Sequence, residues 1–224
     1  MASLRSRTST LHAHLSSQLF RPITSSQAAS PRSYQSSSNP GDEDRPFTPA
    51  ENAILSASLA HVSRHGFTSA ALVQGARDAG YLDVSTNLFP RGSFDLVRYH
   101  LITQRLALRD RVQFPTHLGV GAKVRSLALQ RLRANGTVID RWQEALALMA
   151  IPSNIPPSLR ELALLADEIW FLAGDTSVDS SWYSKRATLS AIYASTEVFM
   201  ITDSSTDFTE TEQFLDQSRT WSSG

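Results

Sequence analysis

Apolar positions recur along most of this chain three or four residues apart, which is the spacing of helices with one buried face. No stretch shows the sustained alternation of apolar and polar residues that indicates a strand. The segment Leu159–Ser205 contains two runs that are apolar on nearly every side. A helix of that kind is buried or holds an apolar ligand. The pattern therefore predicts an all-α protein whose other helices support these two.

Helix boundaries follow from capping residues. Thr48 can cap the first helix, Pro49 suits its first position, and Glu51 completes a capping box. Gly66 can end this helix in a left-handed conformation. Ser93 is the predicted N-cap of a later, long helix. The other predicted helices, apart from the two apolar ones, cover residues 69–79, 83–88, 94 to about 114, 119–134, 138–150 and 209–218, which gives about eight or nine helices in all.

The first 34 residues have the composition of a mitochondrial transit peptide. They contain four arginines, many serines and no Asp or Glu, and they lack the continuous apolar core of a secretory signal. Residues 1–34 are therefore predicted to direct the protein to the mitochondrial matrix, with a disordered serine-rich tail as the alternative. Residues 35–46 are a predicted disordered linker, and residues 47–224 a single domain.

Composition excludes several classes of chemistry. The chain has 21 basic and 21 acidic residues, so its net charge favours neither nucleic acid nor anionic membrane as a partner. It contains no cysteine, which excludes disulfides, cysteine-based zinc sites and thiol catalysis. His61 and His65 have metal-ligand spacing, but the sequence places no acidic third ligand beside them. Because Glu-x-x-His, nucleophile-elbow and phosphate-loop motifs are also missing, we predict no catalytic residues, no metal and no enzyme.

Residues 66–101 have the rhythm of a helix-turn-helix and resemble the N-terminal part of the TetR repressor family. The resemblance rests on Gly-Phe-Thr before a helix, Ala-Gly-Tyr at a turn and a short helix before a long one. A DNA-binding helix needs basic side chains that contact the phosphates, yet residues 81–88 contain no Lys or Arg. Three arginines between Gly66 and His100 are balanced by three aspartates. We therefore predict a vestigial helix-turn-helix at 47–100 and no nucleic-acid partner; the alternative is a TetR-like, ligand-responsive, DNA-binding regulator.

Aromatic residues cluster where the two apolar helices meet, around the predicted loop 173–181. They are Trp170, Trp182 and Tyr183. All three cannot easily be central core, and large aromatics near a helix end are typical interface anchors. Three charged residues occur beside them in sequence: Asp167, Lys185 and Arg186. These form either a structural salt-bridge set or the polar rim of an interface, and the sequence leaves both interpretations open.

Three segments of this region carry a more specific resemblance. They are Ala166–Asp175 (ADEIWFLAGD), Trp182–Glu197 (WYSKRATLSAIYASTE) and Met200–Thr211 (MITDSSTDFTET). They resemble the mitochondrial lipid-binding accessory protein family of ubiquinone (coenzyme Q) biosynthesis, which has a TetR-like fold. The likeness extends from Pro49 to Leu215. It implies a TetR-like helical bundle whose ligand-binding part covers residues 101–218.

This resemblance also implies a function. The protein would be a non-enzymatic matrix protein, peripherally associated with the inner membrane. Its ligand would be an isoprenoid lipid or ubiquinone precursor, which it would present to the di-iron demethoxyubiquinone hydroxylase of the ubiquinone-synthesis complex. No other cofactor is implied, and the family suggests a homodimer. The partner-binding patch of the family corresponds here to Asp167, Trp182, Tyr183, Lys185 and Arg186.

Lipid-binding residues transfer less well from the family, so we predict them from apolar positions in the two apolar helices. They are Ile169, Trp170, Phe171, Ile192, Phe199 and Met200. Relatives commonly continue beyond the last helix into an amphipathic segment that is thought to lie on the membrane. This sequence ends in Arg-Thr-Trp-Ser-Ser-Gly soon after Leu215.

Overall fold

The structure is a computed structural model that describes residues 47–111, 114–115, 117–176 and 181–218. The predicted transit peptide, residues 1–34, and the predicted linker, residues 35–46, lie outside the described residues.

The described residues form ten α-helical segments and three 3-10 segments, and contain no strand. The α-helices are α1 (Pro49–Ala60), α2 (Val62–His65), α3 (Ser69–Asp78), α4 (Ser93–Leu106), α5 (Leu108–Arg111), α6 (Val120–Arg133), α7 (Trp142–Met149), α8 (Ile155–Ala173), α9 (Ser181–Met200) and α10 (Thr209–Gln217). The 3-10 segments are Asp83–Leu88, Gly136–Arg141 and Thr206–Phe208. The predicted all-α class is confirmed.

The start of α1 is the predicted capping box. The Glu51 backbone N–H donates to Thr48 Oγ1 at 3.3 Å, and the Thr48 N–H donates to Glu51 Oε2 at 2.8 Å. Pro49 occupies the first turn, where its missing N–H costs nothing. Gly66 has positive φ, 70°, but its ψ of −173° is not that of the predicted left-handed conformation. It ends the short α2, because a turn at His61 separates α2 from α1.

The predicted long helix from residue 94 to about 114 is wrong in two respects. Gly92, with φ 57°, occupies the N-cap position that was predicted for Ser93, and Ser93 is the first helical residue. The helix also stops at Leu106, and α5 follows a turn at Ala107. One turn before this break, the Thr103 hydroxyl donates to the Tyr99 carbonyl at 2.7 Å, and side-chain bonds of this kind bend helices.

Buried apolar residues form two clusters. The N-terminal cluster joins α1, α3, α4 and α7, and includes Ile54, Leu72, Phe94 and the fully buried Trp142. The C-terminal cluster joins α6, α8, α9 and α10, and includes Leu127, Leu165, Ile169, Leu189 and Leu215. Ile139, in the 3-10 segment before α7, packs against both clusters.

Helices α1 and α3 touch backbone to backbone. A Cβ added at Gly75 in α3 would fall on the backbone nitrogen and Cα of Ser58 in α1. Ser58 is buried and donates its hydroxyl hydrogen to the Ile54 carbonyl at 2.7 Å. The crossing of these two helices therefore requires glycine at position 75.

The α10 helix contacts α6 through ion-paired hydrogen bonds and α9 through stacked aromatic rings. Arg125 of α6 donates to Asp216 through Nε at 2.6 Å and to Glu212 through Nη2 at 2.6 Å. The rings of Phe199 in α9 and Phe214 in α10 stack with centroids 4.6 Å apart. Asp203, between α9 and α10, accepts hydrogen bonds from Ser205 and Thr211.

Candidate functional site

A pocket of about 170 Å³ lies between α4, α7, α8 and α9, and we call it the α4–α9 pocket. Most of its lining is apolar: Leu101, Leu146, Met149, Leu159, Leu162, Leu165, Ala194 and Val198. Five polar residues complete the lining: Arg131, Ser158, Glu161, Tyr193 and Glu197. A concave, mainly apolar surface with a few polar groups is typical of small-molecule sites.

The pocket has an exposed mouth and a buried inner end. Leu159 and Val198 are 60% and 56% exposed, so they lie at the mouth. Arg131 is 1% exposed, and Tyr193 and Glu197 are also buried, so these three residues mark the inner end. The lining is therefore apolar at the mouth, and its buried end combines these polar residues with the buried Leu165.

Two of the polar lining residues form hydrogen bonds with neighbouring residues of the pocket wall. Arg105 donates to Glu161 through Nε at 2.6 Å and through Nη2 at 3.4 Å. The Ser158 hydroxyl donates to the Asn154 carbonyl at 2.7 Å. Because the Glu161 charge is paired, it does not oppose an apolar ligand as an isolated buried carboxylate would.

The other three polar lining residues belong to a buried network, which we call the Arg131 network. Asn135 Oδ1 accepts from Arg131 Nη1 at 2.7 Å and lies 3.0 Å from His100 Nε2. Asn135 Nδ2 donates to Glu197 Oε1 at 2.9 Å, and the Tyr193 hydroxyl donates to the same oxygen at 3.3 Å. His100, Arg131 and Asn135 all lie within 1% of full burial.

Burial sets the protonation of this network. Loss of solvation, followed by the positive charge of Arg131, lowers the pKa of His100 from 6.5 to about 4, so the imidazole is neutral at physiological pH. Since Asn135 Oδ1 is an acceptor, this neutral ring donates through Nε2. Loss of solvation also raises the pKa of the Glu197 carboxyl and the pKa of the Tyr193 hydroxyl.

One donor of the network has no acceptor. Within the described residues, Arg131 Nε is buried and makes no hydrogen bond. Arg131 also lines the α4–α9 pocket. An unsatisfied buried donor is uncommon in native proteins and calls for an explanation.

None of the six predicted lipid-binding residues lines the α4–α9 pocket. Ile169, Trp170 and Met200 are buried in the C-terminal cluster, and Ile192 packs against it. Phe171 is exposed, and Phe199 stacks on Phe214. A second, smaller pocket between α8 and α9 is lined in part by Ile169. The lipid role of the six residues stays a prediction.

Sequence reasoning missed Arg131, Asn135 and Glu197. A signal was available, since Arg131 and Glu197 are the only charged residues in the mainly apolar helical runs Leu127–Leu132 and Leu189–Met200. Charged residues are almost never fully buried unless they are paired. Their positions on the buried faces of α6 and α9 could therefore have suggested that they meet.

The five predicted partner-binding residues do meet, at the junction of α8 and α9, which we call the α8–α9 corner. Arg186 Nε donates to Asp167 Oδ1 at 2.7 Å, and the Arg186 guanidinium lies 3.9 Å from the Trp182 ring centroid. The Trp182 and Tyr183 rings are 4.7 Å apart, edge to face. Arg186 thereby links the charged and the aromatic residues of the corner.

Asp175 is a further member of the α8–α9 corner that the sequence did not indicate. Its carboxylate accepts from Lys185 Nζ at 2.9 Å and lies 3.7 Å from Arg186 Nη1. The charged residues thus form the salt-bridge set that was one of the two interpretations left open by the sequence, while a role as the rim of an interface stays a prediction.

Trp170 is in the core, contrary to the expectation that it is an interface anchor. Its side chain is buried, and Nε1 donates to the Lys185 carbonyl at 3.3 Å. Tyr183, by contrast, is 73% exposed, and Trp182 is half-buried. The exposed aromatic surface of the corner therefore comes from Tyr183, with a contribution from the half-buried Trp182.

The helix-turn-helix part offers little positive charge to DNA. Arg77 donates to Asp83 through Nε at 2.8 Å and through Nη2 at 2.6 Å, so its charge is paired inside the protein. The 3-10 segment Asp83–Leu88 occupies the place of a recognition helix, and Leu82, Val84 and Leu88 are exposed there. An exposed apolar surface does not suit the phosphate backbone.

The described part of the chain contains no cluster of three His, Cys, Asp or Glu side chains that could hold a metal ion. His61 instead contacts Asp78, with Nε2 and Oδ2 2.6 Å apart. No helix within the described ranges has the length and hydropathy needed to cross a membrane.

The fold is similar to that of a solved TetR transcriptional regulator from Nitrosomonas europaea. The TM-score is 0.60, and the match covers 76% of this chain and 96% of that one. Sequence identity is 14%, so this likeness concerns the fold alone. The predicted TetR-like bundle is confirmed.

Sequence comparison gives a narrower result. Residues 155–220, which include α8, α9 and α10, match the family model described as COQ9. The ubiquinone biosynthesis protein coq9 of Schizosaccharomyces pombe is 40% identical over 163 residues, covering 72% of this chain and 65% of the relative. COQ9 of Rattus norvegicus is 36% identical over 189 residues, covering 79% and 60%.

The chain thus spans about three fifths of the length of these curated relatives. The same level of similarity extends to the human protein, at 35% identity over 189 residues. Together with the TetR-like bundle, these matches show that the chain belongs to the COQ9 family.

Proposed function

We propose that this protein is a non-enzymatic lipid-binding accessory protein of ubiquinone biosynthesis. It binds an isoprenoid quinone precursor and presents it to the di-iron demethoxyubiquinone hydroxylase. A role in this pathway is supported by the names of its relatives, which are called mitochondrial ubiquinone biosynthesis proteins. The location in the mitochondrial matrix, at the surface of the inner membrane, belongs to the same proposal, as does a homodimer.

The observation that carries the proposal is the α4–α9 pocket. Eight of its thirteen lining residues are apolar, and those apolar side chains come from four helices. Burial of apolar ligand surface contributes about 25 cal/mol per Å² removed from water, so such a lining can hold a lipid without any chemical step.

The α8–α9 corner supports the second half of the proposal, presentation to an enzyme. It combines an exposed tyrosine, a half-buried tryptophan and a salt-bridged arginine, Arg186. Tyr, Trp and Arg are the residues most enriched among those that dominate protein–protein binding energy. The corner lies at one end of α8 and α9, and both helices also line the pocket.

Lipid analysis tests the first half. The protein, produced in a quinone-making host and purified without detergent, is expected to retain isoprenoid quinones that mass spectrometry detects after extraction. The variant Val198→Trp should retain much less, because the larger ring fills the mouth of the pocket. Val198 is exposed, so this substitution should not disturb the core.

A matched control is Val84→Trp, which places the same ring on an exposed position of the helix-turn-helix part. It should leave the lipid content unchanged. Purified protein without any isoprenoid lipid, or equal lipid in both variants and the unaltered protein, would contradict lipid binding in this pocket.

A further inference from the structure

Exposed apolar residues lead from the turn before α8 to the mouth of the α4–α9 pocket. Ile151, Ile155 and Leu159 are all exposed. The Ile155 N–H donates to the Ile151 carbonyl at 3.1 Å, so the spacing of four residues places the three side chains on one helical face. Leu159 lines the mouth of the pocket together with the exposed Val198 of α9. We call these four residues the mouth surface.

The segment that carries most of the mouth surface is uncharged. No Asp, Glu, Lys, Arg or His occurs from residue 145 to residue 159. The next acidic residue, Glu161, is paired with Arg105, and both side chains are largely covered. An exposed apolar surface is typical of a contact with a protein or a membrane. Because it is uncharged, this one offers little to anionic headgroups but can enter the apolar interior of a bilayer.

Polar groups of the same segment form hydrogen bonds within the protein. Asn154 Nδ2 donates to the Leu148 carbonyl at 3.0 Å, and the Ser158 hydroxyl donates to the Asn154 carbonyl at 2.7 Å. Pro156 and Pro157 lack the N–H groups that the first turn of a helix otherwise leaves unpaired. Shallow insertion of the start of α8 would therefore leave few hydrogen-bonding groups unsatisfied in hydrocarbon.

The size of the pocket gives a reason for contact with a bilayer. A cavity of about 150 Å³ lined by apolar side chains holds one benzene molecule. With a volume of about 170 Å³, the α4–α9 pocket encloses one ring or a short piece of chain, so most of a polyisoprenoid ligand lies outside the mouth. In water that remainder would be exposed, at about 25 cal/mol per Å² of apolar surface. In a bilayer it would stay in hydrocarbon.

We propose that the mouth surface inserts into the acyl-chain region of a bilayer, so that an isoprenoid lipid enters the α4–α9 pocket directly from the membrane. This inference rests on the proposed function and names the membrane-contacting surface that serves its pocket. The mouth surface lies at the start of α8 and the end of α9, whereas the α8–α9 corner lies at their opposite ends. Contact with the bilayer therefore leaves the corner free for the hydroxylase.

Site-specific labelling tests the proposal, because the chain has no cysteine of its own. Full-length Ile155→Cys, carrying an environment-sensitive nitrobenzoxadiazole label, is mixed with phosphatidylcholine vesicles. The label's emission should shift to shorter wavelength and should be quenched by spin labels on the acyl chains. Val84→Cys carries the same label on an exposed position of the helix-turn-helix part and should show neither change.

A double variant connects the mouth surface with loading of the pocket. Ile151→Glu combined with Ile155→Glu adds two carboxylates, and neither residue lines the pocket. Acidic residues at the start of a helix suit its macrodipole, so the fold should be kept. Transfer of a long-tailed quinone from vesicles should become at least about tenfold slower, since a carboxylate is costly to place in hydrocarbon. Affinity for a short-tailed quinone in buffer should stay unchanged.

The outcomes separate this inference from the proposed function. Vesicles that do not bind the protein, vesicles that bind it without changing the label at position 155, and an equal response at position 84 would each overturn insertion of the mouth surface. A label at position 155 that responds to the hydroxylase instead of vesicles would assign the surface to the enzyme, and would overturn it too. None of these results contradicts lipid binding in the pocket, which the mass spectrometry of retained quinones measures separately.

Discussion

Trp182 and Tyr183 are neighbours in the chain, yet their side chains have different environments. Trp182 is half-buried because the Arg186 guanidinium covers its ring, whereas Tyr183 is 73% exposed. A residue this exposed contributes little to the fold, so its removal reports on binding. The predicted pair is therefore better tested at Tyr183 than as a double variant.

Tyr183→Ala is expected to weaken association with the di-iron hydroxylase by about tenfold or more, since a large aromatic anchor can dominate an interface. Its thermal midpoint should stay close to that of the unaltered protein. The hydroxylase affinity can be measured by surface plasmon resonance and the midpoint by circular dichroism.

Val84→Ala is the control, because Val84 is 65% exposed and lies in the helix-turn-helix part. It should change neither quantity. Unaltered hydroxylase binding by Tyr183→Ala would rule out the corner as the docking surface.

His100 gives a pH dependence of stability. Its pKa is 6.5 when unfolded and about 4 when folded, because burial and the charge of Arg131 disfavour the imidazolium. Between these values the unfolded chain binds a proton that the folded chain does not. The free energy of unfolding therefore falls as pH drops from 6.5 to about 4, by about 1.4 kcal/mol per pH unit from this group.

The raised pKa of Glu197 acts in the opposite direction, since stability is lost as pH rises above the ordinary value of 4.5. Glu197 contributes equally to the unaltered protein and to His100→Gln, so the difference between their stabilities isolates the contribution of His100. Urea unfolding at several pH values should show a shallower decline in the variant. Parallel curves would mean that folding does not lower the pKa of His100.

At the scale of single residues, the sequence indicated the residues of the α8–α9 corner but not those of the Arg131 network. The corner residues are close in sequence, so a family resemblance places them together. The network joins α4, α6 and α9, and two of its contacts, His100 with Asn135 and Asn135 with Glu197, span 35 and 62 residues of chain. Local periodicity carries no information on which helices pack side by side. The sequence therefore did not predict that Arg131 and Glu197 belong to one network.

Helices were the easier element to predict. Start positions with a specific side-chain cap, such as Thr48, were right, and so were the existence and approximate extent of α3, α6, α8, α9 and α10. Breaks were not predicted, because they arise from tertiary contacts that override weak local propensity. The predicted helix 138–150 shows this, since it begins as the 3-10 segment Gly136–Arg141 around the buried Val138.

The contact between α1 and α3 supplies an element-scale prediction. Gly75→Ala should destabilise the protein by about 1–3 kcal/mol or more, because the added methyl group would force the two backbones apart. Gly119→Ala is the matched control, with ordinary φ and open space around the added Cβ. Its effect should stay below about 1 kcal/mol.

Chemical denaturation of Gly75→Ala and Gly119→Ala gives the change in the free energy of unfolding for each variant. A Gly75→Ala protein as stable as the Gly119→Ala protein would show that α1 and α3 can separate without loss, and that the close crossing is not needed.

The whole molecule combines a regulator's fold with a surface that does not suit DNA. Its net charge is zero, and in the helix-turn-helix part the charge of Arg77 is paired with Asp83. Nonspecific DNA affinity comes mainly from cations that replace counterions on phosphates. We therefore expect no saturable binding of duplex DNA by the full-length protein at micromolar concentration and physiological salt.

Fluorescence anisotropy with a labelled duplex checks this expectation. Asp83→Lys, which frees Arg77 and adds a cation, should gain weak, salt-sensitive binding and so shows that the assay can detect it. Tight binding by the unaltered protein, weakened by salt, would favour the alternative of a DNA-binding regulator.

The contacts that α10 makes with α6 and α9 determine how easily it unfolds locally. A last helix usually frays, and its amide hydrogens then exchange quickly with solvent. Here Arg125, Phe199 and Asp203 hold α10 along its length, and Leu215 is buried. The amide of Leu215 should therefore exchange only when α6 and α9 also open, which makes the three helices one cooperative unit.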